Sequence, residues 1–301
     1  MTEQKKNRRL HGCVTVRLEG GLGNQMWQYA CCIRLRQMGK KARIDDYDVR
    51  QNTFHQAELL RVFRIQGESI HAFLHWLWRI HLALWFRINK LIGKSYREVP
   101  FYYVESEERI CEAVPLSGFS GYCSGFWQGV GYLEGIEDRL RKVFRFPEPD
   151  EKNRQFGELI QNTESVSVHI RGGDYFNEDV ALLFGNICTA EYYDRAIRHI
   201  LERESGKDIR FFVFTNDPAY AKSISGFDDR QVTYITGNEG EDAFRDMQLM
   251  SMCKHNIIAN SSFSFWGAWL NANPDKIVVA PARWKNMNEI KNMCPDEWIR
   301  L

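Results

Sequence analysis

From residue 165 onward, short β-branched and aromatic runs alternate with segments of helical character. Residues 165–170 (SVSVHI), 210–215 (RFFVFT), 232–235, 256–259 and 276–280 read as strands; 189–204, 218–223, 242–253 and 262–270 read as helices. Thr189 stands where a helix cap is wanted. Strands that alternate with helices imply a parallel sheet covered on both faces. In such sheets ligands bind at the carboxyl ends of the strands.

The N-terminal part opens in the same way. Residues 13–18 (CVTVRL) alternate as a strand, Gly20-Gly21-Leu22-Gly23 forms a turn, and Asn24 is placed to cap a helix through Met26, Tyr29, Ala30, Ile33 and Leu35. The stretch 54–146 shows no such alternation. Within it, 72–93 reads as a two-faced helix. His71, His75, Arg79, Arg87, Lys90 and Lys94 fall in one half of the wheel; Phe73, Leu74, Leu77, Leu84, Trp85 and Ile88 dominate the other. The plain expectation is a core helix with one wet face, and the sharper one is shallow docking on anionic lipid. The polar, proline-bearing run 147–152 reads as a linker. Two domains follow, 1–150 with a helical insertion around 54–100, and 151–301.

At 44% hydrophobic and 26% charged residues, the chain reads as globular, and a formal net charge of +1 gives no field for nucleic acid. Cys13, Cys31, Cys32, Cys111, Cys123, Cys188, Cys253 and Cys294 contain no CxxC pair. A core of this size has no need of disulfides, so reduced and mostly buried thiols are expected. No apolar run follows the polar residues 1–10, and none reaches the roughly 20 residues that span a bilayer. A cytoplasmic protein is expected.

Three clusters carry chemistry. The first is the glycine turn with Asn24-Gln25, where a helix N-terminus favours an anion, although the spacing is neither GxGxxG nor a Walker A loop. The second, His169-Ile170-Arg171-Gly172-Gly173-Asp174-Tyr175, leaves the end of a strand. Arg171 there offers a planar fork to phosphate oxygens, or half of an ion pair with Asp174. The third is Asn260-Ser261-Ser262, hydroxyls and an amide between a short strand and a helix, suited to phosphate or to plain capping. An Asp46-Tyr47-Asp48 triplet has the form of a metal–diphosphate motif but reads better as a solvated acidic loop.

Together, GGLGNQMWQYA (20–30), HIRGGDY (169–175), FFVFTND (211–217) and DMQLMSMCKHNIIANSSFSFWGAWLN (246–271) resemble the α1,2-fucosyltransferase family in order and spacing. The resemblance implies an α/β fold of the GT-B type, two Rossmann-like domains facing a cleft, with the acceptor on the N-terminal side and the donor on the C-terminal domain. It implies an inverting enzyme that moves L-fucose from GDP-β-L-fucose to the 2-hydroxyl of a terminal β-galactoside, with no metal and no other cofactor. It puts Arg171 on the β-phosphate, His169 near the nucleotide, Asp246 on the guanine, and Ser261 and Ser262 on the phosphates, with Asn24 reaching them from the N-terminal domain. Asp174 and Asp179 are the candidates for taking the acceptor proton.

The chain departs from the family's HxRRGD run at Gly172, where a second arginine is usual, and from SFSWWG at Phe265. The rival readings are a metal-dependent transferase using Asp46 and Asp48, and a nucleotide- or glycan-binding protein without catalysis. The missing membrane-spanning run suggests an enzyme acting on lipid-linked oligosaccharides at the cytoplasmic face, and the two-faced segment 72–93 is what would give peripheral contact with anionic lipid.

Overall fold

The computed structural model describes residues 12–52, 56–105, 118–172, 178–224, 227, 232–286 and 292–301. The chain divides into two compact units, Met1–Arg145 and Phe146–Leu301. Each is an α/β unit on an all-parallel sheet, and the fold is of the expected GT-B type.

The N-terminal unit carries β1 (Cys13–Arg17), β2 (Lys41–Asp45), β3 (Tyr102–Val104) and β4 (Gly121–Ser124), in the order β2-β1-β4-β3. β1 lies in the middle because its Val14 and Val16 are apolar and buried, Val14 beside Ala42 on one side and Gly121 on the other. After β1 the chain turns at Gly20, whose φ of +74° suits glycine, into the helix Leu22–Gln37. That helix is held by Met26, Trp27, Ile33 and Leu35, all buried.

Asn24 does not cap this helix, as the sequence had suggested. The N-cap residue is Gly21, without a side-chain bond, and Asn24 lies inside the first turn, where its Oδ1 accepts from Gln128 Nε2 at 2.8 Å. The first turn is satisfied from a distance instead: Leu22 N–H donates to Glu58 Oε2 at 2.7 Å. The buried Gln25 donates to Gly20 O and Gln56 O and accepts from Leu59 N–H. The anion at this helix start is therefore the chain's own Glu58.

The helix Ala72–Leu91 is present, but its faces are reversed relative to a core helix. Its buried residues are His75 and Asn89. Phe73 is 68% exposed, Ile80 63% and Leu84 55%. The polar side turns inward because it has partners there: Asp45 Oδ2 is 2.8 Å from His75 Nδ1 and accepts from Tyr122 OH at 2.9 Å. Burial, with Asp45 adjacent, pushes the Tyr122 hydroxyl far up, so it stays protonated as that donor.

The C-terminal unit carries β5 (Glu164–Ile170), β6 (Ile209–Thr215), β7 (Val232–Tyr234), β8 (His255–Ile257), β9 (Val278–Ala280) and β10 (Ile299–Arg300). The spatial order is β10-β9-β8-β5-β6-β7. Numbered from β5, this is 3-2-1-4-5-6, the Rossmann order, with its switch point between β5 and β8. One face packs Val166, Val168, Phe211 and Val213 against Tyr193, Ile197 and Ile200 of the helix Ala190–Arg203. The other packs Phe212 and Phe214 against Ile160, Leu249 and Met250 of the helices Glu151–Gln161 and Phe244–Met252. Thr189 caps its helix as expected, accepting from Tyr192 N–H.

The run read as a linker is shorter than 147–152. Asp150 caps the helix Glu151–Gln161 by accepting from Asn153 N–H at 2.9 Å, so Glu151 and Lys152 are helical. The seven described cysteines are thiols, and Cys31, Cys32, Cys123, Cys253 and Cys294 are buried. Among the described residues no helix is long and apolar enough to cross a membrane.

Candidate active site

In the C-terminal unit, three neighbouring strands deliver polar residues to one edge. Ile170 of β5 lies opposite Thr215 of β6, and Val168 lies opposite Ile257 of β8. Arg171-Gly172, Asn216-Asp217 and Asn260-Ser261-Ser262 therefore emerge side by side at the carboxyl edge, on both sides of the switch point. The sequence pattern had placed the first and last of these; Asn216 it had missed.

Asn216 fixes the path of the chain past Arg171. Its Oδ1 accepts from Gly172 N–H at 2.9 Å, and its Nδ2 donates to Gly172 O at 3.1 Å. A Cβ on Gly172 would lie 2.8 Å from the Cβ of Asp217 and 3.1 Å from Tyr220 Cδ1. Glycine is thus the residue that fits between β5 and the chain leaving β6. On the other side, Tyr193 OH donates to His169 O at 2.9 Å and pins the end of β5.

Arg171 opens onto a cavity of about 130 Å³, whose lining includes Tyr220, Asn260, Asn186, Phe184 and Cys188. Pockets that take a whole small molecule measure about 300–1,000 Å³. This one has room for a phosphate group or a single sugar ring. Asn260 builds its wall: its Nδ2 donates to Phe184 O at 3.0 Å and Trp284 O at 3.3 Å, and its Oδ1 accepts from Cys188 Sγ. Phe184 ends the helix Glu178–Phe184.

His169 is buried, its ring 6.0 Å from Phe263, and its Nδ1 has no hydrogen-bond partner among the described residues. Burial first, and then the charge of Arg171, pushes its pKa down to about 3. The ring is neutral near pH 7, so the positive charge offered here is that of Arg171.

Ser261 is the N-cap of the helix Ser262–Leu270 and accepts from Phe263 N–H at 3.3 Å. Ser262 is the first helical residue and is half-buried. Much of the surrounding motif holds the fold. Asn256 Nδ2 donates to Ser167 Oγ and to Met250 O, and Asn271 Nδ2 donates to Asn256 Oδ1. Phe265, Trp266 and Trp269 are core, as read from the sequence.

Asp246 stands in the first turn of the helix Phe244–Met252, which follows β7 and so begins at the same edge. Asn238 Nδ2 donates to its Oδ1 at 2.8 Å. Burial pushes the Asp246 pKa up to about 7, against the opposing pull of Asn238 and Lys152. Asn238 exchanges hydrogen bonds with Asn153, which also donates to Asp150.

Asp174 lies outside the described residues. Asp179 is in the first turn of the helix Glu178–Phe184, and only its backbone is described.

The Asp46-Tyr47-Asp48 triplet is not the solvated loop expected from the sequence. Asp46 is buried with Oδ2 at 2.5 Å from Arg50 Nε. Asp48 meets Arg17 Nη2 at 3.1 Å and Arg79 Nη1 at 3.3 Å. Each carboxylate meets an arginine, while Asp46 Oδ1 is buried without a hydrogen-bond partner among the described residues. Among the described residues, no three His, Cys, Asp or Glu side chains gather as a metal site would require.

The family model for glycosyl transferase family 11 matches residues 1–301. The alpha-1,2-colitosyltransferase of Escherichia coli is 33% identical over 302 residues, covering 96% of this chain and 98% of that one. The O-antigen biosynthesis glycosyltransferase WbnK of Escherichia coli is 32% identical, covering 94% and 99%. The galactoside alpha-(1,2)-fucosyltransferase 2 of Mus musculus is 26% identical, covering 93% of this chain and 74% of that one.

Proposed function

The chain belongs to glycosyl transferase family 11, and from that premise we propose that it is an inverting transferase moving L-fucose from GDP-β-L-fucose to the 2-hydroxyl of a terminal β-galactoside. The observation that carries the reading is the meeting of Arg171, the Asn216-braced Gly172 and the Asn260–Ser262 helix start at one sheet edge. The donor is assigned to the C-terminal unit and the acceptor to the N-terminal one.

In this reading the two phosphates lie against Arg171 and the N–H groups that open the helix Ser262–Leu270. Negative charge grows on the leaving GDP as the galactose 2-hydroxyl attacks the anomeric carbon from the opposite face. A guanidinium and backbone N–H groups fixed in advance stabilise that charge without reorganising. His169 contributes a neutral ring near the nucleotide. Ser261 and Ser262 contact phosphate oxygens, and Asn24 reaches them from the N-terminal unit. Asp179, on the helix whose Phe184 lines the cavity, takes the acceptor proton, with Asp174 as the other carboxylate on that segment.

A second donor is favoured by one relative. The similarity to a colitosyltransferase makes a GDP-linked 3,6-dideoxy sugar, which lacks the fucose 3-hydroxyl, the competing substrate. Equal turnover of both donors, or preference for the dideoxy sugar, would move the assignment.

Calorimetry tests the nucleotide. GDP and GDP-fucose are expected to bind, and UDP much more weakly, because Asp246 accepts from the guanine N–H groups. To accept from both it must be ionised, and in the unliganded protein it titrates at about 7. GDP affinity should therefore fall about tenfold per pH unit below that value, with a proton released on binding. Affinity that is flat from pH 5 to 8, or equal for UDP, would remove Asp246 from the guanine site.

A further inference from the structure

The outward side of the helix Ala72–Leu91 is an apolar stripe with no partner among the described residues, and the inward side shows why. His75 is bound to Asp45 and stacked on Tyr47 at 4.5 Å, Arg79 meets Asp48, and Asn89 donates to Ser95 O at 2.9 Å. These polar contacts fix the rotation of the helix. Phe73, Leu77, Ile80, Leu84 and Leu91, spaced by four, three, four and seven residues, then share the opposite face, and all are exposed. Trp76 lies beside them at 61% exposure. An apolar patch of this kind on a folded unit marks a contact surface.

We propose that this face docks the protein on an anionic lipid surface, the helix lying in the interfacial plane. Charge selects the occupant. Between residues 69 and 97 the chain carries Arg79, Arg87, Lys90, Lys94 and Arg97 and not one Asp or Glu, in a protein whose overall formal charge is only +1. At 100° per residue, Arg79, Arg87 and Lys90 lie along one flank of the stripe. Arg87 and Lys90 are exposed and have no acidic partner among the described residues.

An apolar stripe bordered by cations, with a tryptophan at its edge, matches an interfacial helix: the apolar side chains enter the acyl boundary and the cations meet lipid phosphates. Arg79 is already met by Asp48 and Lys94 lies 3.8 Å from Glu98, so the cations left for an outside anion are Arg87 and Lys90, which a second copy of this face would set against their own kind. No described helix spans a bilayer, so the contact is peripheral. This inference does not rest on the donor assignment.

Co-sedimentation of the full chain with vesicles tests it. Binding is expected to vesicles containing phosphatidylglycerol, to be weak on pure phosphatidylcholine, and to fall as salt rises. Ile80→Glu with Leu84→Glu should lower vesicle affinity at least about tenfold without changing the melting temperature, since both side chains are already in solvent. Arg87→Glu with Lys90→Glu, which alters no apolar contact, should lower affinity similarly and remove most of the salt dependence. Equal binding to neutral and anionic vesicles, or no binding at low salt, would overturn the proposal. So would a concentration-dependent dimer abolished by Ile80→Glu, which would make a second copy the occupant.

Discussion

Arg171→Lys is expected to lower kcat by about 10²–10³-fold while leaving the melting temperature unchanged. Arg171 follows the end of β5, and the chain beyond it is held by the paired hydrogen bonds between Gly172 and Asn216. The substitution leaves that frame alone. Lysine keeps the charge but loses the planar fork that holds two phosphate oxygens together. His169 cannot compensate, because burial keeps its ring neutral. If the guanidinium acts on charge that develops as GDP leaves, the loss appears in kcat and not only in donor affinity. If it is instead half of a structural pair with Asp174, lysine partly substitutes, and Arg171→Lys and Asp174→Asn both lower the melting temperature. A stable Arg171→Lys protein with near-normal kcat would end the catalytic assignment.

Gly172→Arg would install the second arginine usual in the family run, and it is expected to damage this protein. The first atom of any side chain here would lie 2.8 Å from the Cβ of Asp217, which sits close to its backbone and cannot swing away. Forcing an extra side chain into such a gap costs about 1–3 kcal/mol. The displaced segment would also lose its two bonds to Asn216 and carry Arg171 with it. Thermal melts should show the destabilisation, and transfer should fall together with donor binding. A variant as stable and as active as the parent would show that the neighbourhood of Asp217 and Tyr220 is open, and that Gly172 has another origin.

What could be read in the sequence follows from how local each signal is. β5 and β6 are visible within a residue of their ends because SVSVHI and RFFVFT are dense in β-branched and aromatic residues. β4 is not visible: it is Gly-Tyr-Cys-Ser, and it is a strand because β1 and β3 flank it. The helix Glu151–Gln161 was obscured by the prolines before it, although Asp150 is the capping signal. The helix Ala72–Leu91 was legible as a two-faced helix, but periodicity shows only that two faces differ. Which one turns inward was decided by Asp45 and Tyr122, partners 30 and 77 positions apart.

The site divides along the same line. Arg171 and His169 stand out because ionisable residues at the end of an apolar strand need a reason to be there. Asn260 is legible with its two serines as a polar cluster between a strand and a helix, whereas Asn216 looks like an ordinary loop residue until the parallel register of β5 and β6 sets it beside Arg171. Asn24 seemed a cap from its local context, while the group that satisfies that helix start, Glu58, lies 36 residues from Leu22.

The most direct test of the whole account is transfer itself. The purified chain is incubated with GDP-fucose and a panel of β-galactosides ending in lactose-type, type 1 or galactosyl-N-acetylgalactosamine units, with excess EDTA, and the linkage of any product is determined. The account predicts an α1,2-linked fucose on galactose, formed at the same rate with and without the chelator. GDP binding with no transfer to any acceptor, or activity that appears only when manganese is restored, would contradict it.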